Sequence, residues 1–251
     1  MYVRTGHRTR FNPTTNGDLH LGHIYIAMFN EYEAHSNGDK FLVRFEDNQP
    51  EWLNIYGAIR AKMYADRMIE CLEWLGIQVD EYSYQSQMEG QILDFAEDRH
   101  IKPPRYVWPH IYPNDPTRID ASPPLIGGWY GYTASLTFNK VVLDHIQGAD
   151  AIIRGDDLRA EFSLYMHYSD MLDIPCTMHY YFPRLKSYGG DGIAKTEGAK
   201  AIIEYKHAGI DPEEIMDLLA KSSLRHPDEG WWMGNVKKEP SLAKDFEKFN
   251  K

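Results

Sequence analysis

Between Arg8 and Tyr84 the hydrophobic period changes from two to about 3.6 residues and back, twice over, and few folds accept such a chain. TRF reads as a strand end and runs into a loop of Asn, Pro, Thr and Gly. A helix opens at Leu19 or His20, with Leu21, Ile24 and Met28 on its apolar face, and Ser36-Asn37-Gly38 stops it. In KFLVRFED, Phe41, Val43 and Phe45 alternate with Lys40, Leu42 and Arg44, the period of a strand. Ala58, Ala61, Ala65, Met68, Leu72 and Leu75 then recur at helical steps until Gly76, and VDEYSY reads as another strand. Alternation on this scale implies a parallel sheet with helices on both faces.

The pattern breaks at Gln85. After one helical stretch from Met88 to Arg99, seven prolines fall between Pro103 and Pro124, and Gly127-Gly128-Trp129-Tyr130-Gly131-Tyr132 follows. Residues 85–135 therefore read as a loop-rich insertion. Alternation resumes with a helix from Phe138 to Ile146, the strand ADAIIR, a helix bearing Leu158, Phe162, Tyr165 and Leu172, and the strand MHYYF. SYGGDGIAKTEGAK is a Gly-rich loop ahead of helices over 199–208 and 211–224. The expected fold is α/β: a Rossmann-like parallel sheet with helices on both faces, split by a short insertion and followed by a small helical C-terminal region. The expected division is a split catalytic domain of residues 1–84 and 136–195, an insertion of residues 85–135, and a loop plus helical region of residues 196–251.

Composition narrows the class. The chain has 251 residues, 43% hydrophobic and 25% charged, enough apolar content to build a core and to exclude disorder. Its apolar runs are far shorter than the roughly 20 residues that cross a bilayer, and MYVRTGHRTRF lacks the apolar stretch of a signal peptide, so a cytoplasmic location is expected. Cys71 and Cys176 form neither a disulfide framework nor a metal motif, and His100, His110, His145, His167, His179 and His207 lack ligand spacing. No metal site is expected. A net charge of −10 argues against a uniformly basic nucleic-acid-coating surface but leaves room for a local basic groove.

The first strand-to-helix turn of an open parallel sheet usually faces a ligand, and His20-Leu21-Gly22-His23 stands there. Two imidazoles a helical turn apart can meet one phosphate, aided by the positive end of the helix, while Gly22 lets a base or ribose approach the backbone. The alternative is a pair of incidental histidines at a helix start.

RFNPTTNGDLHLGH (Arg10 to His23) resembles the RFxPxPxGxLHIGH stretch that opens class I aminoacyl-tRNA synthetases of the glutamyl and glutaminyl branch. FLVRFEDNQPE (Phe41 to Glu51) resembles that branch's second conserved strand, and IIRGDD (Ile152 to Asp157) the strand before its ribose-contacting turn. GIAKTEGA (Gly192 to Ala199) sits where the family has its KMSKS-type loop, and the resemblance covers residues 4–225. It implies an amino-acid-adenylating ligase that uses ATP and Mg²⁺. His20, His23 and Lys195 would be catalytic, the histidines at the ATP phosphates and the lysine at the leaving pyrophosphate. Thr14, Gly22 and Asp156 would join them in binding ATP. Arg10, Asn12, Thr14, Glu46, Leu136, Lys140 and Arg154 would line the amino-acid site, with Arg10 toward a substrate carboxylate and Glu46 toward its ammonium.

The departures bear on specificity. Gly192 replaces the first lysine of the loop motif and Thr196 follows the retained one. Leu136 stands where the family offers a tyrosine, and Lys140 where it offers an asparagine. Either the substrate differs from plain glutamate, by carrying more negative charge or by lacking a group the tyrosine would contact, or the placement slips and Tyr130 or Tyr132 fills the tyrosine's role.

The insertion that grips tRNA in the family holds only Arg99, Lys102, Arg105 and Arg118 here, few for a phosphate backbone. Nothing after residue 225 is long enough for an anticodon-binding domain, as in the glutamyl-queuosine type of synthetase, and two cysteines cannot form the zinc site many of that type carry. The expected partners are ATP and a glutamate-like amino acid, with tRNA or another acyl acceptor: a carrier protein, a metabolite or a modified nucleic acid. A catalytically weak nucleotide-binding paralogue and a small nucleotidyltransferase sharing the HxGH turn are the competing readings. Trp231-Trp232-Met233 reads as a cluster packing the tail onto the body, the alternatives being a stacking platform for a base or a dimer contact.

Overall fold

The computed structural model describes residues 7–48, 55–104, 119–120, 128–182 and 200–223, with side chains of 55–56, 119–120, 128–133 and 221–223 excepted. The chain opens with β1 (Thr9–Phe11), α1 (Leu21–Ser36), β2 (Phe41–Phe45), α2 (Ile55–Trp74) and β3 (Glu81–Tyr84). A 3₁₀ turn at Gln85–Met88 leads to α3 (Glu89–Asp98), β4 (Ile101–Lys102) and β5 (Ile119–Asp120). Then come α4 (Gly128–Gln147), β6 (Ala151–Gly155), a 3₁₀ turn at Asp156–Glu161, α5 (Phe162–Met171), β7 (Met178–Phe182), α6 (Ile202–His207) and α7 (Pro212–Ser223).

Among the described residues, five strands form one parallel sheet in the order β3-β2-β1-β6-β7. The chain builds outward from β1 to β3, then returns to the other side of β1 through β6. That reversal leaves a crevice above the C-terminal ends of β1 and β6, where open α/β sheets take ligands. β4 and β5 form a separate two-stranded parallel ladder.

Each sheet face has its own apolar layer. Phe11, Phe41, Val43, Phe45, Ile153 and Phe182 pack toward α1 and α2, and Ile202, Ile203, Ile215, Leu218 and Leu219 of α6 and α7 join that layer. Ile152 packs on the opposite face with Ile92 of α3, Phe138, Val141 and Val142 of α4, and Tyr165 and Tyr168 of α5. The expected α/β fold is thus the observed one.

Several local expectations shift. All five residues of β2 are buried, Arg44 included, because a strand inside a parallel sheet is covered on both faces. The buried stripe of α2 runs through Ala61, Ala65, Met68 and Leu72, whereas Ala58 is exposed. Helix α4 begins at Gly128, ten residues before the expected start at Phe138. The glycines of its first turns read as breakers, but its later turns lie deep in the second apolar layer, and tertiary burial outweighs a glycine cost of roughly 1 kcal/mol each. Gly38, with φ +70, ends α1 in the left-handed conformation that a glycine adopts without strain. No helix among the described residues is long and apolar enough to cross a membrane.

Candidate active site

The loop from β1 to α1 runs beside the end of β2. Glu46 N–H donates to Pro13 O, Thr15 N–H donates to Glu46 O, and Thr14 bridges Glu46 in parallel. His20 is the N-cap of α1: the Gly22 N–H donates to His20 Nδ1 at 3.1 Å, and the His20 N–H donates to His23 Nδ1 at 3.2 Å. The two rings stack with centroids 3.7 Å apart. Because both Nδ1 atoms accept backbone bonds, the neutral rings carry their protons on Nε2. The sequence therefore places two N–H donors beside the positive end of a 16-residue helix, an arrangement suited to phosphate oxygens.

Glu46 is 3% exposed. Its Oε2 accepts from Asn12 Nδ2 at 3.2 Å and from Thr14 Oγ1 at 3.4 Å, while Oε1 is buried without a hydrogen-bond partner among the described residues. A buried acceptor left unmet costs about 1–3 kcal/mol, so this atom is suited to a ligand's ammonium.

Three neighbouring strands each send an arginine to the face covered by α4: Arg44 from β2, Arg10 from β1 and Arg154 from β6. Arg10 grips Asp144 of α4 with both arms, Nε to Oδ1 at 2.9 Å and Nη2 to Oδ2 at 2.6 Å. Arg44 Nη2 reaches Oδ1 at 2.8 Å and its Nε donates to Asn12 Oδ1. Tyr165 Oη lies 3.0 Å from Asp144 Oδ2. Burial pushes the Asp144 carboxyl upward, but the two guanidinium groups outweigh it and hold it below the usual carboxylate range. The Arg10 fork, which the resemblance directs at a substrate carboxylate, is turned onto this internal one.

One turn before Asp144 on the same helix, Lys140 Nζ lies 3.6 Å from Glu161 Oε2 and 3.9 Å from Glu46 Oε2. Arg154 Nη2 donates to that Glu161 oxygen at 2.8 Å. Burial raises the Glu161 carboxyl, and Lys140 and Arg154 more than reverse this, so it is held below its ordinary value. Leu136, a further turn back, is buried. His179 on β7 is pulled down to about 3, chiefly by burial and then by Arg154 and Arg10, so it is neutral.

The structure thus brings Asn12, Thr14, Glu46, Lys140 and Arg154 together, with Glu161 as the link that sequence reasoning missed. Asp144 and Arg44 were also missed, since nothing local marks them. Asp156 lies elsewhere on the rim, exposed and paired with Arg159 at 2.6 Å. Lys195, Gly192, Thr196, the side chains of Tyr130 and Tyr132, and Trp231-Trp232-Met233 lie outside the described residues. Both flanks of the segment that holds Lys195 are described: Phe182 ends β7, and the Ile202 N–H donates to Leu19 O, next to His20, at 2.8 Å.

Residues 7–99, which carry the β1 loop, the His20–His23 cap and Glu46, match the catalytic domain of class I tRNA synthetases (E and Q). The chain has a class I glutamyl-tRNA-synthetase-like core. Over most of its length, this synthetase-like chain is 27% identical over 245 residues to glutamate–tRNA ligase 2 of Neorickettsia sennetsu, covering 88% of this chain and 56% of the relative. It is 24% identical over 298 residues to glutamate–tRNA ligase 2 of Nitratiruptor sp., covering 96% and 63%. The chain therefore spans less than two thirds of the length of these relatives. Among solved structures, a glutamate tRNA ligase from Elizabethkingia meningosepticum in complex with its amino acid superposes with a TM-score of 0.64 at 16% identity, over 87% of this chain and 61% of that one. The tyrosyl-tRNA synthetase of Archaeoglobus fulgidus, at a TM-score of 0.58 and 14% identity, shares the fold over 79% of the synthetase-like chain and 62% of its own.

Proposed function

We propose that the chain is a ligase that activates glutamate or a related acidic amino acid with ATP and passes the acyl group to an acceptor. The observation that carries this reading is the convergence at one end of the sheet: a stacked pair of histidines capping a helix N-terminus, and the buried Glu46 with one unmet oxygen and Lys140 near the other. An oxygen of the substrate carboxylate would attack the α-phosphorus of ATP. The new O–P bond forms as the bond from that phosphorus to the oxygen bridging to the β-phosphate breaks, and pyrophosphate leaves with the electron pair. His20 and His23 would donate to phosphate oxygens as charge builds there, and Lys195 would neutralise the pyrophosphate. Glu46 would hold the ammonium, and Thr14, Gly22 and Asp156 would contact the nucleotide. The acceptor's nucleophile would then take the acyl group, releasing AMP.

The family implies Mg²⁺ alongside ATP. Among the described residues no group of three His, Cys, Asp or Glu is placed to hold a metal ion. We further propose the division drawn from the sequence, in which residues 85–135 are a reduced acceptor-binding subdomain between the halves 1–84 and 136–195. The acceptor is a tRNA, as the relatives' names indicate for them, or a different acyl acceptor; the net charge of −10 supports the second.

The test is amino-acid-dependent exchange of labelled pyrophosphate into ATP across the standard amino acids, with and without bulk tRNA. Exchange with an acidic amino acid is the expected result. No exchange with any amino acid, tRNA present or absent, would overturn the reading.

A further inference from the structure

We propose that Lys140 selects for the charged side chain of the amino acid, its ammonium receiving the substrate's side-chain carboxylate and so separating an acid from its amide. The inference rests on the amino-acid-binding part of the reading above and names the residue that decides specificity. Among the described residues of the site, four cations (Arg10, Arg44, Lys140 and Arg154) face three carboxylates (Glu46, Asp144 and Glu161). The cations are all nearly buried, and neutral His179 adds no charge. One positive charge is in excess. An acidic amino acid, net −1, balances it, whereas the amide leaves it uncompensated in a place where water screens little.

The distances say which cation takes the anion. Arg10 and Arg44 hold Asp144 at 2.6–2.9 Å, and Arg154 holds Glu161 at 2.8 Å. Lys140 stands 3.6 and 3.9 Å from its two carboxylates, beyond a normal hydrogen bond to either. It is a compact charge on a flexible stem, able to turn three donors to a new partner. With the substrate ammonium at Glu46 Oε1, the α-carboxylate must face the ATP phosphates. The carboxylate left for Lys140, beside the other Glu46 oxygen, is that of the side chain. The resemblance puts an asparagine at this position, so the cation is this chain's own.

Calorimetric titration of L-glutamate, L-glutamine, L-aspartate and L-asparagine into the full chain tests this without requiring turnover. The wild type is expected to bind one acid at least tenfold tighter than its amide. Lys140→Asn and Lys140→Gln should bring that ratio to about one, and Lys140→Arg should keep it. The ratio is read within one preparation, so a partly unfolded variant does not distort it, and two neutral replacements guard against one failing to fold. An unchanged ratio in either neutral variant, or a wild type that binds neither acid preferentially, would overturn the assignment. Acid-selective binding without pyrophosphate exchange would instead overturn the activation step while leaving Lys140 in place.

Discussion

Asp144 is the residue on which the floor of the site depends. It sits at no exposure between two guanidinium groups, and Tyr165 and Thr177 complete the network. Asp144→Asn should destabilise the fold by about 3–5 kcal/mol, the cost of leaving buried charges without their counter-ion, read by urea or thermal unfolding. Its folded-state carboxyl is depressed, so the stabilisation is present above the unfolded value of roughly 3.9 and is lost as pH falls below it. The gap between wild type and Asp144→Asn should therefore narrow below about pH 4. His20 has two separable duties. His20→Asn keeps a good N-cap and should change stability by only a few tenths of a kcal/mol, yet should lower pyrophosphate exchange at least tenfold; equal exchange would show that His20 is only a cap. His20 and His23 were legible in the sequence because their geometry is local, three residues apart on one turn. Asp144 was not, because its partner Arg10 lies 134 residues away and only the packing of α4 on the sheet brings them together.

Helix α4 carries Leu136, Lys140, Asp144 and Gln147 at helical spacing toward the sheet, so its register sets the chemistry of the floor. Its second half was readable from periodicity. Its first turns were not, since a glycine-rich run signals a loop until a neighbouring layer buries the helix. Phe138 is fully buried and meets Tyr168 edge-on at 5.4 Å, so Phe138→Ala should cost about 3–5 kcal/mol and disturb Lys140 and Asp144 together, seen as lower stability and weaker amino-acid binding. Helix α1 was legible at both ends, from His20 to the Asn37-Gly38 stop. Gly38→Ala should cost about 1 kcal/mol in unfolding free energy, because alanine is strained at φ +70.

At the scale of the whole molecule, α6 and α7 complete the layer over α1 and α2, and Ile202 ties that layer to the residue before His20. Leu219→Ala, at a fully buried position there, should lower stability by about 2–5 kcal/mol. Lys206 also meets Glu70 of α2 across the exposed edge, where solvent screens the pair. The sequence by itself determined the alternation of strands and helices, the parallel sheet and the His20–His23 turn that opens α1, since each follows from period, capping and spacing within some 20 residues. Only the tertiary structure decided that Arg10 answers to Asp144, that Arg44 is interior, and that Lys140 stands loosely between Glu46 and Glu161. Those contacts join β1, β2, β6, α4 and the 3₁₀ turn after β6, and what a charge pairs with is settled when burial removes water and leaves only the groups that packing places beside it.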